Sequence, residues 1–597
     1  MPLSKTQLSD LPDPCQHAPF TRKSSSLRTA ILTVISASSL LSLVHREPGG
    51  LPSFFSSRHC NDNPSILGAL PPNVNSSACP QFEALYPAKH VLLDAELESL
   101  YATEDFKLKT YKSFSGAIQI PTESYDDNGP VGEDPRWETF QVLHSYFQST
   151  FPLVYENLKV TKVNTYGLVF HWQGSTNAKP ILITAHQDVV PVDPTTIDQW
   201  EHEPYSGLYD GTWIWGRGSS DDKSDLIEQL ITIDSLLSKG FAPARTVVLA
   251  SGFDEESKGT EGAGHIAGYL ETTYGRDGFA MLVDEGGSND IPFGGGVMFS
   301  SPDISEKGYL DVKVEVSTSG GHSSVPPPHT GIGILSRLVT EIEDHPHESQ
   351  LLRSGTPFAS IQCTSTYGPT YPNDIRRLAK EALSDDAALK QLEEELLAAS
   401  PLYSAMFGTT QAVDVIEGGV KVNALPERTS AIVNHRIAEH SSVAELQEHL
   451  VDVLSPTVRK FNMTLNAFGH IAIRGNEKAG VVTLSDAFNT ALDPSPVTPL
   501  EYGPYSLLSG TIKATIGSST FYNTTGVVIA PSLSLGNTDT RFYWNLTRHI
   551  FRYSPGAATD VYAGIHTINE ARRAESVIEG IRFFTKLILN SDESLSL

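Results

Sequence analysis

The chain has 597 residues, 39% of them hydrophobic and 19% charged, the balance of a globular protein long enough for two or more domains. Acidic residues outnumber basic ones 70 to 43, for a formal net charge of −27, which excludes nucleic acid as a partner because a phosphate backbone calls for a basic surface. The cysteines are Cys15, Cys60, Cys79 and Cys363, and without a CxxC pair they exclude a thiolate zinc finger.

Residues 1–28 are polar and carry Lys5, Arg22, Lys23 and Arg28, the composition of a cytoplasmic tail. An apolar and small-residue run over 29–45 follows. It is short for a bilayer span, but its basic upstream flank predicts a signal anchor and membrane attachment. Residues 46–85 are rich in Pro, Ser and Asn and read as a linker. Cys60 and Cys79 flank part of it and could form a disulfide in an oxidising compartment, the alternative being two free thiols. N-x-S/T sequons at Asn75, Asn462, Asn523 and Asn545 agree with passage through a secretory pathway.

From residue 86 the pattern becomes globular. Runs at 181–185, 246–250 and 279–283 are β-branched and apolar, as buried strands are. Between the first two, apolar residues over 226–237 recur at helical spacing and stop at Gly240. Strand-helix-strand order predicts an α/β domain with a mostly parallel central sheet flanked by helices. A smaller α+β insertion is expected over 305–439: strict alternation over 310–316 marks a strand with one wet face, a charged helix follows around 374–399, and 431–437 closes the unit. The main domain would then comprise 86–304 and 440–597, ending in a helix over 570–589.

Acids and histidine gather at the strand ends. The first run ends in His186 and Asp188, which share a face in extended geometry; the Asp188 carboxylate can hold one tautomer of His186 while the other nitrogen meets a metal. The second run leads into Asp254, Glu255 and Glu256, and the third into Asp284 and Glu285. Asp221 and Asp222 precede the amphipathic helix. Open α/β sheets build sites at the carboxyl ends of their strands, and converging carboxylates repel unless cations neutralise them. Histidine and carboxylate donors without thiolate suit a catalytic Zn²⁺ centre, with Mn²⁺ or Co²⁺ as substitutes. Adjacent Glu255 and Glu256 diverge if extended, so one can bind metal while the other serves as general base.

The ordered motifs AHQDVVPV, WGRGSSDDK, GFDEESKGTEGA, VDEGG and STSGGHSSVPP resemble those of the M20 family of metallopeptidases. The late stretches GNTDTRFYWNLTRHIFRYSP and GIHTINE are similar to its fungal carboxypeptidase S branch, and the resemblance covers about residues 86–590. It implies two zinc ions per chain. His186 would bind one metal and Asp188 would orient it; Asp221 would bridge the pair; Glu255 would be the general base; Glu256 and His566 would hold the second metal. The first metal's last acid would be Asp284, with Glu285 its rival. His549 would be a surface or packing residue. The insertion would be a ferredoxin-like lid or dimerisation domain, whose His322 stabilises the oxyanion, and Asn423 and Arg541 would lie near the substrate. The implied activity is that of a carboxypeptidase on short peptides, the alternative being hydrolysis or synthesis of N-acyl amino acids, and less plausibly an inactive tethered binding protein. The resemblance also implies vacuolar delivery and leaves monomer and homodimer both open.

Overall fold

The computed structural model describes residues 79–597 apart from 502, 595 and 596. The expected tail at 1–28, the anchor at 29–45 and most of the linker lie outside the described residues. Among the described residues, no helix is long and apolar enough to cross a membrane.

An eight-stranded sheet organises the main unit, in the order Lys159–Val163, Gly167–Trp172, Val247–Ser251, Ile181–Thr184, Met281–Asp284, Ile550–Arg552, Asp303–Glu306 and Ser532–Ser534. Its four middle strands are parallel, with antiparallel pairings on either side. The sheet is therefore mixed, with a parallel centre.

Side chains alternate across these strands. Ile181, Ile183, Val247, Leu249, Met281 and Val283 point into the core beneath helices Glu104–Ile118, Lys223–Ser238, Pro504–Gly517 and Ala574–Glu593. Leu182, Val248, Ala250 and Leu282 point into a second core beneath helix His265–Tyr274. Burial on both faces is why these strands read as continuous apolar runs. Each buried Leu, Ile or Val contributes roughly 1.5–3 kcal/mol, so truncating Leu182, which is 0% exposed, to alanine should cost about 2–5 kcal/mol.

The inserted unit leaves the main sheet directly after Glu306. Its six-stranded sheet runs Thr410–Gly418, Arg428–Ile437, Gly308–Ser317, Val481–Asp486, Thr464–Ala467 and His470–Ile473. Helices Gly331–Asp344 and Val443–Lys460 cover one face over a core of Leu310, Val312, Val314, Val433, Leu450 and Val482. The sheet extends to Asp486, beyond the boundary at 439 expected from sequence, because Val481–Asp486 pairs with Gly308–Ser317. Four helices, Thr356–Tyr367, Asn373–Glu381, Asp386–Ala399 and Pro401–Phe407, form a satellite with its own apolar core.

Cys79 is bonded to Cys363 of that satellite, which rules out both a Cys60–Cys79 pair and a free Cys79; Cys60 lies outside the described residues. The two partners are 284 positions apart in sequence and meet in a small core with Val297, Phe299 and Val528. Of the described sequons, Asn462 and Asn523 are exposed, and Asn545 is half-buried.

Candidate metal centre

The centre lies where the parallel strands end. His186 follows Ile181–Thr184 and is 2% exposed. Its Nδ1 faces the Asp188 carbonyl at 3.0 Å and Asp188 Oδ1 at 3.3 Å. Both partners only accept, so Nδ1 carries a proton. Nε2 then faces Asp221 Oδ1 at 2.9 Å and Glu285 Oε1 at 3.6 Å. His566 Nε2 is likewise set between Asp221 Oδ2 and Glu256 Oε1, each at 3.0 Å. Asp221 thus stands between two imidazoles, one oxygen toward each.

Two groups of donor atoms lie within 4.8 Å of one another: His186 with Asp221 and Glu256, and His186 with Asp222 and Glu285. Buried carboxylates outnumber cations here, and their proton affinities show it. Burial raises Glu256 to about 7, and the Asp221 charge adds to it. Burial pushes Glu255, Glu285 and Asp222 well above the usual carboxylate range. Burial alone would lower His566, yet its bonds to Asp221 and Glu256 push it up to about 11. Ring nitrogens aimed at acceptors, amid an excess of buried acid, are a donor set that fits divalent cations.

The surrounding motif residues brace this cage. Asp188 is 0% exposed and takes the backbone N–H groups of Glu255 at 3.1 Å and Glu256 at 3.0 Å, with the Ser124 hydroxyl at 2.5 Å. Arg217 and Glu570 form a buried 2.6 Å ion pair, and Glu570 also accepts the Ser220 N–H, fixing the loop that delivers Asp221. Lys223 donates to the carbonyls of Ala117 and Ile120. The Asp221–Asp222 peptide bond is cis.

The structure brings together His186, Asp221, Glu256 and His566, with Glu255 and Asp188 adjacent. It does not bring Asp284 into the cage. Asp284 is in neither donor group: its Oδ1 accepts the Thr184 hydroxyl at 2.6 Å and its Oδ2 is buried without a partner among the described residues, while the next residue, Glu285, faces His186. His549 is half-buried and outside both donor groups. His322 and Asn423 sit in the inserted unit on an exposed two-stranded ribbon, where His322 pairs with Ala424 and the Ser323 N–H reaches the Asn423 carbonyl. Among the described residues no hydrogen bond joins them to the cage.

Arg541 donates to the Lys258 carbonyl at 2.7 Å, and its Nε is buried without a partner among the described residues. Its charge bears on Glu255 and on a second guanidinium, Arg436. Arg436 projects from strand Arg428–Ile437 of the inserted unit and reaches Asn537 Oδ1 at 3.3 Å. Burial lowers Arg436, and Arg541 lowers it further. Sequence reasoning missed Arg436 and Asn537, and named Asp222 without giving it a role. The available signal for Arg436 was a cation alternating with buried residues near the end of strand Arg428–Ile437.

Residues 182–590 match peptidase family M20/M25/M40. Carboxypeptidase S of Saccharomyces cerevisiae is 36% identical over 526 residues, covering 87% of this chain and 90% of that protein. The human N-fatty-acyl-amino acid synthase/hydrolase PM20D1 is 30% identical, covering 83% and 90%. Among solved structures, human carnosine dipeptidase 1 superposes with a TM-score of 0.56 at 14% identity, covering 85% of this chain and all of that one, a likeness of fold.

Proposed function

The chain belongs to peptidase family M20/M25/M40, and from that membership we propose that it is a metallo-carboxypeptidase releasing the C-terminal residue of short peptides. One observation carries the reading: Asp221 lies between His186 and His566, amid more buried carboxylates than its own cations balance.

His186, Asp221 and Glu285 would hold one divalent ion, and Asp221, Glu256 and His566 a second. Zinc is the proposed metal, since the donors are imidazole and carboxylate. Bound there, the ions supply Lewis acidity and bring the pKa of water close to neutral.

This chain's own residues do the rest. Asp188 keeps the proton on His186 Nδ1 and leaves Nε2 for the ion. The same carboxylate pins the backbone of Glu255 and Glu256. Glu255 takes the proton of the attacking water and returns it to the leaving amine. The substrate carboxylate binds Arg436 and Arg541, whose planar guanidiniums suit paired oxygens. His322 and Asn423, carried on the ribbon of the inserted unit, donate to the developing oxyanion and the substrate amide. Membrane-anchored delivery to the vacuole is part of the same reading, supported by the apolar run at 29–45 and the sequons.

The test is a substrate panel. N-blocked dipeptides with a free C-terminal carboxylate should be cleaved, and their C-terminal amides should not. N-fatty-acyl amino acids form the second arm, because PM20D1 is a relative by name of that chemistry. Faster turnover of N-acyl amino acids than of every peptide would move the assignment to the alternative. Cleavage of amidated peptides at equal rate would overturn the carboxypeptidase reading.

A further inference from the structure

Far from the carboxylate cage in type, a second group of donors gathers inside the inserted unit, and it holds no acid. His435 lies on strand Arg428–Ile437, on the face covered by helices, and is 0% exposed. Gln411 stands directly opposite it on the neighbouring strand. His449 comes from helix Val443–Lys460, and His347 from the loop after helix Gly331–Asp344. The His347 and His449 rings are 4.0 Å apart, and the His347 and His435 rings 6.1 Å.

The hydrogen bonds decide where the lone pairs point. His435 Nδ1 lies 3.0 Å from the Val433 carbonyl and 3.3 Å from that of Leu310. Carbonyls only accept, so Nδ1 carries the proton and Nε2 presents a lone pair. His449 Nε2 faces the His345 carbonyl at 3.2 Å, which leaves its lone pair on Nδ1. Gln411 donates through Nε2 to the Ile342 carbonyl at 2.5 Å, which orients its oxygen. Of the atoms so presented, His435 Nε2 and Gln411 Oε1 are buried without a partner among the described residues, and so is His347 Nε2.

We propose that His347, His435 and His449, with the Gln411 carbonyl oxygen beside them, form a transition-metal site separate from the catalytic cage. An imidazole N–H held by a backbone carbonyl is the arrangement that fixes a metal-ligating histidine. Imidazole donors without carboxylate or thiolate suit Zn²⁺, Ni²⁺ or Cu²⁺ and not Ca²⁺ or Mg²⁺. Burial keeps His435 down at about 4 and His347 at about 3, so both rings are neutral and available at ordinary pH. The cation that bears on His347 is Lys307, whose ammonium is committed to the Ala405 and Gly408 carbonyls. The three rings are spread wider than the catalytic donors, which alone fall within 4.8 Å of one another among the described residues. The half-buried His347 and His449 turn inward about the fixed His435 when the ion binds. Binding ties the loop after one covering helix, and the other helix itself, to the sheet.

The test uses the full chain, stripped of metal with a chelator, dialysed against Ni²⁺ and freed of unbound ion. The wild type should hold about one Ni²⁺ per chain beyond those of the catalytic cage and melt at a higher temperature with it. His347→Ala and His449→Ala should each lose that uptake and that shift while cleaving peptides as the wild type does. The melting curves of the Ni²⁺-free variants show that they are folded. No additional Ni²⁺ in the wild type, or equal uptake by both variants, would overturn the proposal.

Discussion

Asp188 Oδ1 accepts the backbone N–H of Glu255 at 3.1 Å, while its Oδ2 accepts that of Glu256 at 3.0 Å. One carboxylate therefore orients His186 and aims both glutamates. Asp188→Asn puts an amide N–H against one of those donors, so activity should fall by about 10–100-fold along with metal affinity. Glu255→Gln should differ in kind: turnover falls by about 10²–10⁴ while metal content stays that of the wild type. Steady-state kinetics with metal analysis on both variants separates the two roles. Metal loss in Glu255→Gln would show that this residue is a ligand and not the base.

Arg436 reaches across from the inserted unit to Asn537, beside Arg541. Arg436→Met removes a charged donor for the substrate carboxylate, a loss of about 1.5–3 kcal/mol, or roughly 10–150-fold in kcat/KM. Most of it should appear in KM. The discrimination between free-acid and amidated peptides should shrink by the same factor. Unchanged discrimination would remove Arg436 from the substrate site.

Proton competition sets the pH dependence of metal binding. In the metal-free protein Glu256 holds its proton up to about pH 7 and His566 up to about 11. Both pKa values are raised, and a cation needs both groups deprotonated. Metal uptake at pH 7 must then release protons, and affinity must weaken as pH falls. Each proton released corresponds to about tenfold in affinity per pH unit. Titrations at pH 6 and 8 should differ by at least about tenfold per unit, with proton release measured in weakly buffered solution. Equal affinities would contradict the assignment of these groups as ligands.

The Cys79–Cys363 bond ties the start of the described chain to the helical satellite of the inserted unit. Changing both cysteines to serine should cost about 2–5 kcal/mol and lower the melting temperature, with kcat nearly unchanged because the bond lies apart from the cage. A double variant that melts with the wild type would show that the bond does not hold the satellite in solution.

The strand ends were legible because parallel central strands are buried on both faces and stand out as apolar runs, and sites form where such runs stop. His186, Glu255 and Glu256 stood out at those ends, while the roles of Asp221, Glu256 and His566 came only with the family resemblance. The choice between Asp284 and Glu285 was not. Neighbours at a strand end face opposite ways, and only the coordinates set Glu285 against His186 and Asp284 Oδ1 against Thr184. The second sheet's continuation to Asp486 was hidden because alternation marks a strand without saying which sheet it joins. Cys363 was overlooked for Cys60 because nothing local in sequence records a contact across 284 positions. Arg436 alternates along its strand like any solvent-facing residue, and only the packing of one unit on the other sets it against Asn537.

The central claim is a pair of cations bridged by Asp221. Crystals of the zinc-loaded chain, measured on both sides of the zinc absorption edge, test it directly. The account predicts two anomalous peaks, one beside His186 and Glu285, the other beside Glu256 and His566, with Asp221 touching both. A single peak, or two peaks away from Asp221, would contradict it.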